Sequence, residues 1–108
     1  MQLTVTIYQL TQGFPREELY GLSSQLRRAA VSMPSNIAEG HGRLNTREFK
    51  QFLGIARASD FESQTQLEIA RRLGMGEIKL LDLAESLSHE VGKVIYAMVE
   101  SLRSSIQN

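Results

Sequence analysis

Apolar side chains recur at spacings of three and four residues along almost the whole chain, and this periodicity limits the fold more than any other feature. It is clearest in the last segment, where the stripe comprises Leu80, Leu81, Ala84, Leu87, Val91, Val94, Ile95, Met98 and Leu102. Such spacing is typical of an amphipathic α-helix. The one β-branched cluster, Val5 to Ile7, falls within the same helical pattern. The sequence therefore predicts an all-α protein.

Glycine, proline and helix-capping residues divide the pattern into four predicted helices. Residues 2–12 predict a first helix that ends at Gly13, and it is either a stub or the end of a longer natural helix. Proline favours a first helical turn and Glu17 and Glu18 suit the positive end of the helix dipole, so Phe14–Glu18 predicts the start of the second helix. Pro34 lies inside this helix, where we expect a bend without a break.

The remaining boundaries are also marked. Gly40 and Gly42 predict the end of the second helix, and Asn45 predicts an N-cap for the third, with Glu48 as its reciprocal partner. Gly74 and Gly76 bracket the turn before the fourth. Short connections favour antiparallel neighbours, so we expect one domain, residues 1–108, folded as an up-and-down antiparallel four-helix bundle.

Composition narrows the function. The 108 residues carry 12 basic and 12 acidic side chains, a net charge of zero that argues against a protein built to coat nucleic acid. Residues 21–57 nevertheless hold six basic residues against two acidic ones, and residues 58–108 hold five against eight. The absence of cysteine suits a reducing cytoplasm. No apolar run approaches the roughly 20 residues needed to span a bilayer, so we expect no membrane contact.

Two lines of polar side chains are not needed by a simple bundle. Their members share helical spacing and hydrogen-bonding chemistry: Gln25, Arg28, Ser32, Asn36 and Glu39 on the second helix, and Ser59, Glu62 and Gln66 on the third. Arg28 could fork onto Glu62 or Glu39. Either the two lines meet in a half-buried network that sets register, or both face water.

The start of the third helix is a candidate anion site. Arg43, Arg47 and Lys50 surround backbone N–H groups there, although arginine opposes the helix dipole at this end. We expect these three side chains either to contact RNA or DNA phosphates or to form a solvated basic turn offset by Glu48.

Catalytic and cofactor signals are weak. The residues three before His41 and His89 are Ala38 and Ser86, so the Glu-x-x-His pairs of a bundle di-iron site are missing. No serine lies in a Gly-x-Ser-x-Gly elbow. The sequence predicts no enzyme, no metal and no cofactor. The remaining enzymatic hypothesis is a nuclease using Glu39, Glu62 and His41, which needs carboxylates within reach of one metal.

Longer motifs carry a resemblance. The run Ser32-Met33-Pro34-Ser35-Asn36-Ile37-Ala38-Glu39-Gly40, preceded by Phe14-Pro15 and Gln25-x-Arg27-Arg28-Ala29, resembles the four-helix bundle proteins of the 23S rRNA intervening-sequence family. The similarity runs from about Phe14 to Gly74. Members usually have a longer first helix, and Asp60-Phe61 replaces a small or aliphatic pair.

The resemblance implies a four-helix bundle that assembles into a ring-like homopentamer, and a related branch is an accessory protein that binds a reverse transcriptase and nucleic acid. It also implies that Arg28, Asn36, Glu39, Ser59, Glu62 and Gln66 are signature positions. Our leading hypothesis is a non-enzymatic, cytoplasmic, oligomeric binding module with RNA or a nucleic-acid-processing protein as its partner. The alternative is a structural or protein–protein adaptor that binds no nucleic acid.

Overall fold

Residues 1–107 contain four α-helices. The computed structural model describes the backbone of residues 1–107 and the side chains of residues 1–103. The helices are α1 (Gln2–Gln12), α2 (Leu22–His41), α3 (Thr46–Arg72) and α4 (Ile78–Gln107). Each packs against its neighbours in the order α1, α2, α3, α4 and back to α1, which confirms the predicted bundle.

The helices differ greatly in length, and this divides the bundle into two parts. α1 has 11 residues and α4 has 30, or about 16 and 45 Å at the usual rise per residue. Four helices surround the core that contains Ile7, Leu26 and Leu67. Only α2, α3 and α4 surround the second core, built on Leu53, Ala56 and Ile95. α1 therefore covers only one end of the bundle, the end that contains Ile7, Leu26 and Leu67.

The predicted start of the second helix at Phe14–Glu18 is wrong. Arg16–Glu18 forms a single 3₁₀ turn, and α2 begins only at Leu22. The Glu18 carboxylate accepts a hydrogen bond from the Leu22 N–H over 3.1 Å, so it satisfies a free donor at the start of α2 from outside the helix. Leu19 consequently precedes α2 and is 50% exposed.

Pro34 does not interrupt α2, which is continuous from Leu22 to His41. Proline has no N–H, so the carbonyl of Ala30 lacks its ordinary helical partner. The Thr4 hydroxyl of α1 donates to that carbonyl over 2.9 Å. A defect in one helix is thus compensated by its neighbour, which fixes α1 against α2 at this level.

The other predicted helix ends are where the sequence places them. Gly13 and Gly42 follow the last residues of α1 and α2, and the Asn45 side chain accepts from the Glu48 N–H over 2.8 Å. Gly76 has a φ of +84°, and a Cβ there would lie 2.5 Å from Leu10 Cδ1. The turn before α4 therefore requires glycine both for its backbone conformation and for its close packing against α1.

Candidate functional site

The two polar lines meet in the middle of α2 and α3. The Ser59 hydroxyl donates to Ser32 Oγ over 2.8 Å. The Asn36 amide donates to the same oxygen over 2.9 Å and to the Ser32 carbonyl over 2.8 Å. Ser59 is 8% exposed, so this contact lies inside the helix pair. We call the polar surface formed by Gln25, Arg28, Ser32 and Asn36 of α2 with Ser59, Glu62 and Gln66 of α3 the α2–α3 seam.

One end of the seam opens into a groove of about 500 Å³. Its lining consists of Gly21, Leu22, Gln25, Glu62, Thr65, Gln66 and Ile69. The Gln66 amide donates to Glu62 Oε1 over 3.1 Å and, at the limit of hydrogen-bond length, to Gln25 Oε1 over 3.5 Å. Gln66 is only 7% exposed, yet its own Oε1 is buried with no hydrogen-bond partner among the described residues. The Gln66 side chain beside the groove therefore has one acceptor that no described residue satisfies.

The predicted fork of Arg28 onto Glu62 or Glu39 is wrong. Eleven residues separate Arg28 from Glu39 on one helix, about 16 Å, which is beyond the reach of their side chains. Glu39 instead lies 3.4 Å from Arg43, one turn further along. Arg28 is exposed and forms no ion pair with any side chain that the structure describes. The seam thus presents the Arg28 guanidinium and the Glu62 carboxylate to solvent.

The basic residues surround the connection between α2 and α3. Arg47 is exposed, Lys50 is half-buried, and the Arg43 guanidinium lies 4.6 Å above the Phe52 ring. Asn45 already accepts one of the N–H groups at the start of α3, so fewer remain for an anion. Binding of phosphate here would depend on the three cationic side chains more than on the helix terminus.

His41 is the last residue of α2 rather than a loop residue. Its ring centroid lies 4.6 Å from that of Phe49. Residues 1–103 contain no group of three His, Asp or Glu side chains placed to hold a metal ion. Glu39, Glu62 and His41 are therefore not assembled into the ligand set that the nuclease hypothesis requires.

Sequence reasoning missed a buried carboxylate between α3 and α4. Asp60 is 1% exposed, and its Oδ1 accepts a hydrogen bond from the Ser88 hydroxyl over 2.6 Å. Burial raises the pKa of the Asp60 carboxyl, and the Ser88 hydrogen bond opposes that rise. The signal was present in the spacing, because Asp60 continues the stripe that contains Leu53, Ala56 and Leu67. An acidic residue on an apolar stripe predicts a buried polar contact.

Comparison with known proteins gives the family. Residues 1–97 match the family described as 23S rRNA-intervening sequence protein. The chain belongs to this family. No curated protein matches it. Among solved structures, a protein of unknown function from the S23 ribosomal protein family of Bacteroides thetaiotaomicron is similar in fold, with a TM-score of 0.80 and 21% identity over 91% of this chain and 92% of that one.

The intervening-sequence family match covers the seam, the basic connection and Asp60. The similar Bacteroides structure supports the helical arrangement and nothing finer at its level of identity. Within residues 1–107, no helix combines the length and the apolar character needed to cross a membrane.

Proposed function

We propose that this protein is a non-enzymatic binding module that acts as a homo-oligomer and contacts RNA or a ribonucleoprotein. The half-exposed Ile69 at the groove beside the seam carries the assembly part of the proposal. Burial of apolar surface is the main favourable contribution to protein association, and a second copy of the chain would cover this side chain.

The surroundings of Gln66 suit a protein interface. Ile69 is 43% exposed beside it, and Glu62 and Arg28 offer charges of both signs along the seam. Buried apolar area with a polar rim is the usual composition of such a surface. The basic excess of residues 21–57 and the acidic excess of residues 58–108 allow one copy to contact the next head to tail. Repeated head-to-tail contacts close into a ring when the rotation between successive copies divides a full turn, which is the geometry of the homopentamer that the family resemblance implies.

The assembly is tested by light scattering on the purified chain. Ile69→Asp places a charge at the groove and should lower the measured mass to that of a smaller species. Ile78→Asp is the matched control, because Ile78 is 67% exposed at the start of α4 and lies outside the seam. A monomeric wild-type protein at micromolar concentration, or an unchanged mass for Ile69→Asp, would contradict the proposed interface.

Arg43, Arg47 and Lys50 support the RNA part of the proposal. A ring would repeat this basic connection in every subunit, so that phosphate contacts that are weak singly add up by multivalency. The zero net charge of the chain means that the effect depends on local placement of the cations.

The measurement is the salt dependence of affinity for a single-stranded RNA. Arg43→Ala with Arg47→Ala should weaken binding and reduce the slope of log K against log salt by roughly 1 to 2. Arg16→Ala with Arg72→Ala, which removes two exposed arginines elsewhere, should have little effect. Equal slopes for the two double variants would contradict phosphate contact at the basic connection.

The adaptor alternative rests on the zero net charge. It expects the same assembly, with no salt-dependent affinity for RNA in the wild-type protein. The two measurements together therefore separate the proposals. A wild-type protein that does not assemble contradicts both of them. A wild-type protein that assembles but does not bind RNA supports the adaptor.

A further inference from the structure

A second cavity, of about 450 Å³, lies on the opposite side of α3, between α3 and α4. Its lining consists of Arg57, Asp60, Phe61, Gln64, His89, Gly92, Lys93 and Tyr96. The volume is within the usual range for a small-molecule site. None of these residues belongs to the seam or to the basic connection, so the cavity needs a separate explanation.

The floor of the cavity is the Asp60 carboxylate. Its Oδ1 is occupied by Ser88, while Oδ2 has only the Gln64 amide, which donates over a long 3.3 Å. Oδ2 also lies close to Gly92 of α4, because a Cβ added to that glycine would be 3.1 Å from this oxygen. No cationic side chain forms an ion pair with Asp60 in the described part of the chain. A buried carboxylate without a cation is stabilised most by strong N–H donors.

The rim of the cavity has the opposite charge. Arg57 and Lys93 are both exposed at its edge, together with the imidazole of His89. A simple cation would be repelled at the rim, and a simple anion would be repelled at the floor. The ligand that fits this arrangement has N–H donors at one end and negative charge at the other.

Two aromatic rings complete the site. Phe61 and Tyr96 are 52% and 56% exposed, and the Arg57 guanidinium lies 5.3 Å from the centroid of the Phe61 ring. Half-exposed rings beside arginine form platforms on which planar heterocycles stack. Phe61 cannot be explained by the core, because it points away from the apolar stripe of α3.

Together, the floor, the rim and the platforms match a nucleotide that enters base first. We infer that the α3–α4 cavity binds the guanine base of a guanosine nucleotide, with Asp60 accepting from the base and Arg57 and Lys93 facing its phosphate. Guanine is the one common RNA base with two adjacent N–H donors, N1–H and the 2-amino group, which suits an acceptor-only carboxylate. Uracil places carbonyl oxygens on both sides of its single N–H. Adenine and cytosine place an acceptor nitrogen beside their amino group.

The site implies displacement of the weakly held Gln64 amide. Gln64 lies one turn along α3 from Asp60, and its side chain is only partly buried. A guanine N–H at an ordinary charge-assisted distance would be a better partner for Oδ2 than the 3.3 Å contact that it replaces. The Ser88 hydroxyl keeps its own contact with Oδ1.

Calorimetric titration of the whole chain with GMP, IMP, AMP and XMP at low salt tests the inference. GMP should bind, and IMP, which lacks the 2-amino group, should bind roughly 10- to 100-fold more weakly. Asp60→Asn presents a donor beside an acceptor and should exchange the preference from GMP to XMP. Phe61→Ala should weaken GMP binding roughly 10-fold through lost stacking. Glu90→Gln, an exposed carboxylate on α4, is the matched control and should leave binding unchanged.

The same experiment identifies the source of the base. Equal affinity for GMP and the trinucleotide UGU indicates a free nucleotide, and tighter binding of UGU than of both GMP and UAU indicates a guanine within a strand. Absence of GMP binding to the folded protein, equal affinity for GMP and AMP, or preferential binding of free arginine would overturn the inference. RNA binding lost on changing Arg43 and Arg47, with GMP binding retained, would show that this cavity works independently of the basic connection.

Discussion

The contact between Thr4 and the carbonyl of Ala30 gives a sharp test of how α1 is fixed to the bundle. Thr4→Val removes the hydroxyl while keeping the shape of the side chain. Ala30 is fully buried, so its carbonyl would lose the 2.9 Å partner that replaces the missing Pro34 N–H. An unsatisfied buried carbonyl costs about 1–3 kcal/mol. We expect about 1.5 kcal/mol, because Thr4 is itself only half-buried.

The explanation requires that the cost depend on Pro34. In a Pro34→Ala background, residue 34 supplies its own N–H to Ala30, and Thr4→Val should then cost less than about 0.5 kcal/mol. The double-mutant cycle should therefore yield a coupling energy of about 1 kcal/mol. Thr4→Val alone should lower Tm by roughly 4–8 °C in a domain of this size.

Urea denaturation followed by circular dichroism measures each free energy of unfolding. Thr65→Val is the matched control, since the Thr65 hydroxyl donates to the Phe61 carbonyl of its own helix, is exposed, and has no relation to Pro34. Its effect should be small and equal in both backgrounds. An equal loss from Thr4→Val with and without Pro34 would refute the compensation between α1 and α2.

Four further substitutions test local features of the fold. Gly40→Ala places a Cβ 2.7 Å from Phe49 Cδ1 and should cost about 1–3 kcal/mol of unfolding free energy, whereas Gly54→Ala, with open space around it, should be neutral or stabilising by up to about 1 kcal/mol. Asn45→Ala should cost about 1 kcal/mol by removing the N-cap of α3, measured by the same denaturation. Asp60→Asn should abolish a pH dependence of stability, because burial raises the folded-state pKa of the Asp60 carboxyl above the unfolded value of 3.8. The stability that the protonated carboxyl provides is complete below the unfolded pKa and is lost as pH rises through the folded-state pKa. In urea denaturation, the unfolding free energy of the wild type should therefore fall relative to that of the variant as pH rises above about 4.

The helices and most of their ends could be predicted because they depend on local signals. Gly13, Gly42 and Asn45 act within one turn of chain, and the apolar spacing of α4 reports burial directly. The start of α2 could not be predicted in this way. Proline followed by two acidic residues suits a 3₁₀ turn as well as a helix, and the choice depends on the Glu18 carboxylate reaching Leu22.

The sequence predicted which residues form the α2–α3 seam, but it did not predict which of them contact each other. Spacing placed Ser32 and Ser59 each in one line, and the lines do meet. Spacing could not decide which partner each residue takes, because that depends on helix rotation and on side-chain reach. Arg28 accordingly remains unpaired within the described residues where a fork was predicted. Val94, included in the apolar stripe of α4, is 55% exposed because α1 is too short to cover that level.

α3 contributes to both proposed surfaces, and its geometry makes them separable. Gln66 and Ile69 face the groove beside α2, whereas Asp60 and Phe61 line the cavity beside α4. Because these faces lie on different sides of one helix, a substitution in the groove leaves the cavity of the same subunit unchanged. Ile69→Asp should therefore lower the mass in light scattering without changing the GMP affinity per chain. A joint loss of assembly and of GMP binding in a folded variant would mean that a neighbouring copy completes the cavity, and that the two surfaces act as one.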